Sequence, residues 1–116
     1  MTCAQSCSAL SGHVIFPGHM KAKPHFHLGQ LVCTPGILAA FSLLEITELL
    51  CRHISHDWGD LCQSDKKMND AALTSGDRIL SCYKCSHGRR VYIITEAVNE
   101  ASGQRDYTTI LLPSEY

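Results

Sequence analysis

No run of the chain approaches the roughly 18–20 consecutive apolar residues that a membrane-spanning helix needs, and neither sign of charge is in surplus. Ten Lys and Arg stand against eleven Asp and Glu, a formal charge of −1. The first lack excludes a helical membrane span. The second leaves no general excess of positive charge to neutralise phosphates, so direct nucleic-acid binding is not expected. Residues 1–20 have neither a basic start nor an apolar run of the length an export signal uses, and a cytoplasmic chain with reduced thiols is expected. Also missing are GxSxG, P-loop, HExxH and dinucleotide-binding motifs, internal repeats and low-complexity tracts. What remains is an ordinary globular composition: 45% apolar and 18% charged over 116 residues, enough for one core and one domain.

Cysteine is the exception to this scarcity. Seven Cys occur, at 3, 7, 33, 51, 62, 82 and 85, an odd number that does not suit a disulfide framework. Cys82 and Cys85 form the single CxxC, one pair where a structural zinc site shows two. They also fall at the end of a predicted strand, where residues three apart point to opposite faces. Cys82 and Cys85 are therefore weak metal candidates, no cofactor is implied, and the Cys read as small buried hydrophobes.

Along the chain, residues 1–26 interleave Ser, Cys, His, Pro and Gly without a sustained period and read as a loosely ordered arm. Residues 27–116 read as a single α+β domain. A short strand over 28–33 leads to Thr34-Pro35-Gly36, a helix start in which Thr34 caps and Pro35 takes the first helical position. Apolar residues at 37, 38, 41, 44, 46, 49 and 50 predict one amphipathic helix to about His53. A second helix is expected to begin within residues 57–64, capped by Asp60 or Ser64, to bury Leu61, Met68, Ala72 and Leu73, and to end at Ser75-Gly76-Asp77. Strands over 78–84 and 90–97 flank a hairpin turn with Gly88, and Val91-Tyr92-Ile93-Ile94, apolar on both faces, marks the second as central. Residues 99–105 read as a polar turn into a third strand over 107–112. The expected fold is two helices packed on a small antiparallel sheet, a three-stranded C-terminal meander plus an early short strand.

Chemistry concentrates at the helix junction, His53-Ile54-Ser55-His56-Asp57-Trp58-Gly59-Asp60-Leu61, which holds the single Trp, two imidazoles and two carboxylates. Two readings compete with a plain helix break in which Asp60 caps, Trp58 plugs the core with its indole N–H on a carbonyl, and His53 caps the helix end. The first is a partner-binding surface of Asp57, Asp60, Asp65 and Asn69 with Trp58 as an anchor, acidic groups that complement a basic surface on a macromolecule. The second is a small hydrolase-like enzyme with His53, Asp57, Asp60 and Glu96 in one pocket. A nucleic-acid or small-ligand module is a further alternative, with Arg89 and Arg90 as the local basic patch.

From Phe26 onward the chain resembles a family of small bacterial proteins of plasmids and other mobile regions, known as plasmid-related proteins and sometimes labelled restriction-endonuclease subunits. The residues that carry the resemblance are Leu28-Gly29-Gln30-Leu31-Val32, Thr34-Pro35-Gly36, Arg52-His53, Asp57-Trp58-Gly59-Asp60-Leu61, Asp65, Asn69, Arg78-Ile79-Leu80-Ser81, Tyr83, Ile93-Ile94-Thr95-Glu96 and Thr108 to Tyr116. Residues 1–25 extend beyond the pattern, Cys33, Cys51, Cys82 and Cys85 depart from it, and His56 stands where Gly is often found. The resemblance implies an accessory-genome setting and brings no mechanism with it. In that setting the expected function is a non-enzymatic macromolecule-binding protein that masks a surface of a protein or ribonucleoprotein complex, such as a host-defence complex of the CRISPR or restriction type.

Overall fold

A computed structural model of the chain describes residues 26–116, and the expected 1–26 arm lies almost wholly outside them. Strand β1 (Gln30–Cys33) leads into helices α1 (Pro35–Ala40), α2 (Leu43–Ile54) and α3 (Gln63–Ser75). Strands β2 (Ile79–Lys84), β3 (Arg90–Thr95), β4 (Val98–Asn99), β5 (Gln104–Arg105) and β6 (Tyr107–Leu111) follow. The main sheet runs β1-β6-β3-β2, and β4 and β5 form a separate hairpin. The α+β expectation holds, and so does the antiparallel meander of β2, β3 and β6 with β3 central.

Three details differ. β1 runs parallel to β6, pairing Gln30 with Tyr107 and Cys33 with Ile110, so the sheet is mixed rather than antiparallel. The polar stretch 99–105 contributes β5 and half of β4. The single helix expected from Ile37 to His53 is two helices, because Ser42 and Glu45 form a reciprocal capping box. The Ser42 amide donates to Glu45 Oε1 at 2.7 Å and the Glu45 amide to Ser42 Oγ at 3.1 Å. That Ser-x-x-Glu signature starts a helix, and Phe41 before it is extended. The turn takes Leu38 and Leu44, expected on the buried stripe, to 62% and 65% exposure.

Both long helices cover the same face of the sheet. Ile37, Ile46, Leu49 and Leu50 pack on Tyr83, Val91, Ile93 and Ile110, while Trp58 and Ala72 pack on Ile79, with Phe26, Leu61 and Leu73 around them. α3 begins after Cys62, which makes no side-chain cap, rather than at Asp60 or Ser64, and ends as expected at Gly76 with φ 85°. It buries Asn69 and Ala72, and Met68 is 68% exposed, contrary to expectation.

The ends of the described chain are joined by one carboxylate. Glu115 accepts from Thr34 Oγ1 at 2.6 Å, the Gly36 amide at 3.0 Å and the Leu112 amide at 2.9 Å, and the Thr34 hydroxyl, with the Leu112 amide, holds its pKa below the ordinary carboxylate value. Thr34 still caps α1 as expected. No helix among the described residues is long and apolar enough to cross a membrane.

Two glycines with similar positive φ separate backbone strain from crowding. Gly59 has φ 79°, and a Cβ there would overlap the Cys82 carbonyl; Gly88 has φ 72° and open space around it. Gly59→Ala is expected to cost about 3 kcal/mol or more and Gly88→Ala about 1 kcal/mol, measured by urea unfolding. Equal costs would show that the Gly59 to Cys82 approach does not constrain the fold.

Candidate functional site

The α2–α3 junction is built against β2, the outer strand of the sheet. Residues 80 and 82 of β2 turn their backbone groups away from β3, and an open sheet edge of this kind invites unwanted pairing. Here it is closed. Asn69 Nδ2 donates to the Leu80 carbonyl at 2.8 Å and the Leu80 amide donates to Asn69 Oδ1 at 3.2 Å. The Cys82 amide donates to the Trp58 carbonyl at 3.2 Å, and the Asp60 amide to the Cys82 carbonyl at 2.6 Å. Asn69 thus acts as one residue of an added strand. It is 5% exposed, which removes it from the outward acidic face on which the sequence suggested it.

His53 does not cap α2. Its ring is fully buried and points across the sheet, with Nδ1 2.6 Å from Ser81 Oγ and Nε2 2.9 Å from Thr95 Oγ1. Thr95 Oγ1 lies 2.7 Å from Thr108 Oγ1, and Thr108 Oγ1 donates to the Leu28 carbonyl at 2.7 Å. The direction of every proton in this chain follows from its last member. A carbonyl only accepts, so the Thr108 hydroxyl proton goes to Leu28, and Thr108 can only accept from Thr95. Thr95 has then used its proton and must accept from His53 Nε2–H, which leaves Nδ1 to accept from the Ser81 hydroxyl. The geometry therefore selects the neutral Nε2–H tautomer of His53. Desolvation first, then the charge of Arg105 and the neighbouring His56, lower its pKa to about 3.

Aromatic rings surround this imidazole. Phe26 meets it edge-on at 5.1 Å and Trp58 at 5.9 Å, while His56 stacks on Trp58 at 5.5 Å. His56 has φ 69°, a conformation that favours Gly and is strained for a side chain. Trp58 is buried, and its indole N–H donates to Asp70 Oδ1 at 2.9 Å rather than to the expected carbonyl.

The members of the expected enzyme site have separate partners. Asp57 accepts from Arg52 Nε at 2.7 Å and from the Gly59 amide at 3.1 Å. Asp60 accepts from Arg90 Nη1 at 2.8 Å, and Glu96 is tied through its main chain to Tyr107 and Arg105. None of these bonds links two of His53, Asp57, Asp60 and Glu96. Of the partner-binding set, Asp57, Asp60 and Asp65 are exposed while Trp58 and Asn69 are buried.

Arg105, which the sequence placed in a polar turn, is the residue that reading missed. It is 5% exposed and donates to the carbonyls of Asp77 at 2.7 Å, Glu96 at 2.9 Å and Ala72 at 3.0 Å, joining the end of α3 to two strand ends. Burial pushes its pKa down. Nothing in the local pattern marks it, because its partners are 9 to 33 residues away. Cys82 turns toward Arg90, whereas Cys85 packs against the larger core cluster. Among the described residues no group of three or more His, Cys, Asp or Glu is placed to hold a metal.

An open groove lies beside this closed edge. It has a volume of about 360 Å³, with Leu61, Met68 and Leu80 as apolar lining and Asp65, Asp77 and Arg78 as charged lining. No family model, curated protein or solved structure matches the chain.

The buried imidazole makes stability depend on pH with a definite sign. His53 takes a proton near pH 6.5 when unfolded and near pH 3 when folded, so between these values the unfolded chain binds more protons. Its contribution is complete above pH 6.5 and is lost as the pH falls toward 3, at about 1.4 kcal/mol per pH unit. Unfolding titrations from pH 7 to 4 check the slope, and imidazole ¹⁵N shifts are expected to report Nε2–H. A protonated Nδ1 at pH 7 would overturn the relay direction.

Proposed function

We propose that the chain is a non-enzymatic binding protein that docks a segment of a macromolecular partner in the groove between α3 and β2. The observation that carries this reading is Met68. A helix of this length buries its apolar side chains against the sheet where it can, yet Met68 is 68% exposed and lines a concave surface whose charged residues are two carboxylates, Asp65 and Asp77, and one cation, Arg78. Leu61 and Leu80 continue the apolar lining, and Met is a side chain that adapts to varied partners. The groove suits a segment that carries a cationic side chain beside an apolar one: the apolar group meets Met68 and Leu80, and the cation meets Asp65 and Asp77.

This narrows the acidic surface read from the sequence. Asp65 keeps its place in it, Asp57 and Asp60 form its edge while paired to Arg52 and Arg90, and Trp58 and Asn69 support it from beneath. The enzymatic alternative has less support, because both ring nitrogens of His53 are engaged in a site without solvent access. The mobile-element setting that the resemblance implies makes a host-defence complex the partner class to try first, with the chain acting by covering a basic surface of it.

The test replaces Met68 by a photo-crosslinking phenylalanine analogue in the full chain, with the same analogue at Leu43 as a control. The expected result is a partner crosslinked from Met68 and not from Leu43, lost in an Asp65→Lys, Asp77→Lys background and weakened by added salt. Crosslinking that is equal at both sites, or unaffected by the charge reversals, would sink the groove as the docking site. All variants change exposed side chains, so their thermal unfolding should stay close to that of the parent.

A further inference from the structure

Four of the five arginines have partners among the described residues. Arg52 pairs with Asp57, Arg78 donates to the Tyr116 hydroxyl, Arg90 pairs with Asp60, and Arg105 is held by carbonyls. Arg89 is held by its main chain, which bonds to Ser86 and Cys85, and its guanidinium makes no hydrogen bond or ion pair to a described residue. It lines, with Arg90 and Ser114, a cavity of about 480 Å³ whose remaining wall is Ala40, Leu112 and Pro113. The cavity lies at the hairpin end of β3 and shares no lining residue with the α3–β2 groove.

The charge in this cavity is of one sign. No carboxylate lines it, whereas Asp65 and Asp77 line the groove and Glu45 and Glu48 line a smaller hollow of about 160 Å³ beside Arg52. Glu115, next to Ser114 in the chain, is engaged with Thr34, Gly36 and Leu112, and Asp60 is paired with Arg90 itself. Asp60 also orients Arg90 without exhausting it. Both bonds of that guanidinium, to Asp60 Oδ2 at 2.8 Å and Cys82 Sγ at 3.5 Å, leave from Nη1, so Nε and Nη2 are available. Two arginines that line one cavity, one of them already paired to Asp60, offer N–H donors suited to the oxygens of a phosphate. Holding one donor in place beforehand lowers the ordering cost of binding.

We propose that this cavity binds the phosphate of a small phosphate ester of mononucleotide size. Arg89 and the free donors of Arg90 clasp the phosphate, the Ser114 hydroxyl supplies a further donor, and Leu112 and Pro113 contact the organic part of the ligand. The volume lies within the range of small-ligand pockets, roughly 300–1,000 Å³. Asp60, read from the sequence as part of an acidic docking face, becomes the positioning residue of an anion site.

The test is an NMR titration of the full ¹⁵N-labelled chain with adenosine 5′-monophosphate, following the Nε–Hε signals of Arg89 and Arg90 and the backbone amide of Ser114. Saturable shifts of all three are expected, with unphosphorylated adenosine producing none. Arg89→Ala, a change at an exposed side chain, is expected to weaken binding about tenfold without altering the unfolding temperature, since one charge-assisted contact is of that size. Asp60→Asn is expected to weaken it less, by releasing Arg90 from its fixed position. The proposal is overturned by any of three results: no saturable shift up to about 10 mM ligand, equal binding of adenosine, or unchanged affinity in Arg89→Ala.

Discussion

A fully buried imidazole with two ring nitrogens needs two partners, and the way His53 finds them ties the sheet together. Its hydrogen-bond chain passes from Ser81 on β2 through His53 on α2 to Thr95 on β3 and Thr108 on β6, and ends on the Leu28 carbonyl just before β1. The order of the hydroxyls is the order of the strands. Every one of these side chains points to the helix-covered face, and a slip of one residue in any strand would turn its hydroxyl to the other face and leave a buried polar atom without a partner. Such an atom costs about 1–3 kcal/mol, so the relay specifies register as well as holding α2 in place. No buried side-chain nitrogen or oxygen among the described residues is unsatisfied.

The same economy governs the rest of the polar residues. Asn69 and the Trp58 to Asp60 backbone complete the outer edge of β2, Arg105 gathers three carbonyls around the end of α3, and Glu115 joins the last turn of the chain to the start of α1. Each replaces a contact that a larger core would supply by burial alone. The functional reading follows by subtraction: once His53, Asn69, Trp58 and Arg105 are assigned to the fold, the groups left exposed on concave surfaces include Asp65, Met68 and Asp77 in the groove and Arg89 and Arg90 in the cavity.

Much of the frame could be read directly from the residues. Val91 to Ile94 announced a central strand, Thr34-Pro35 a helix start, Gly76 a helix end and Gly88 a hairpin turn, because each is a local preference of backbone or burial. The break at Ser42 was also written locally, as Ser-x-x-Glu, but the apolar period running through it masked the signal. Met68 was misplaced for a related reason: the period shows which residues share a face and not whether the neighbouring face has room for them. Of the candidate site, the junction 53–61 stands out in the sequence, but the partners of its imidazole do not, since His53 faces Ser81 and Thr95, 28 and 42 residues away, and not the two Asp beside it in the chain.

The sequence by itself determined the helix start at Thr34-Pro35, the helix end at Gly76, the three strands of the meander, the near balance of charge, and the gathering of acidic groups between residues 57 and 70. Only the tertiary structure decided that β1 would lie parallel to β6, that His53 would be neutral and held at both nitrogens, and that Arg105 and Asn69 would be structural while the Arg89 guanidinium meets no partner among the described residues. The physical reason is that local preferences are set within a turn of chain, whereas the fate of a polar side chain depends on whether it is buried and on what meets it there. Those partners come from residues as many as 80 positions apart, as with Thr108 and Leu28, and they acquire meaning only when packing removes water from between them.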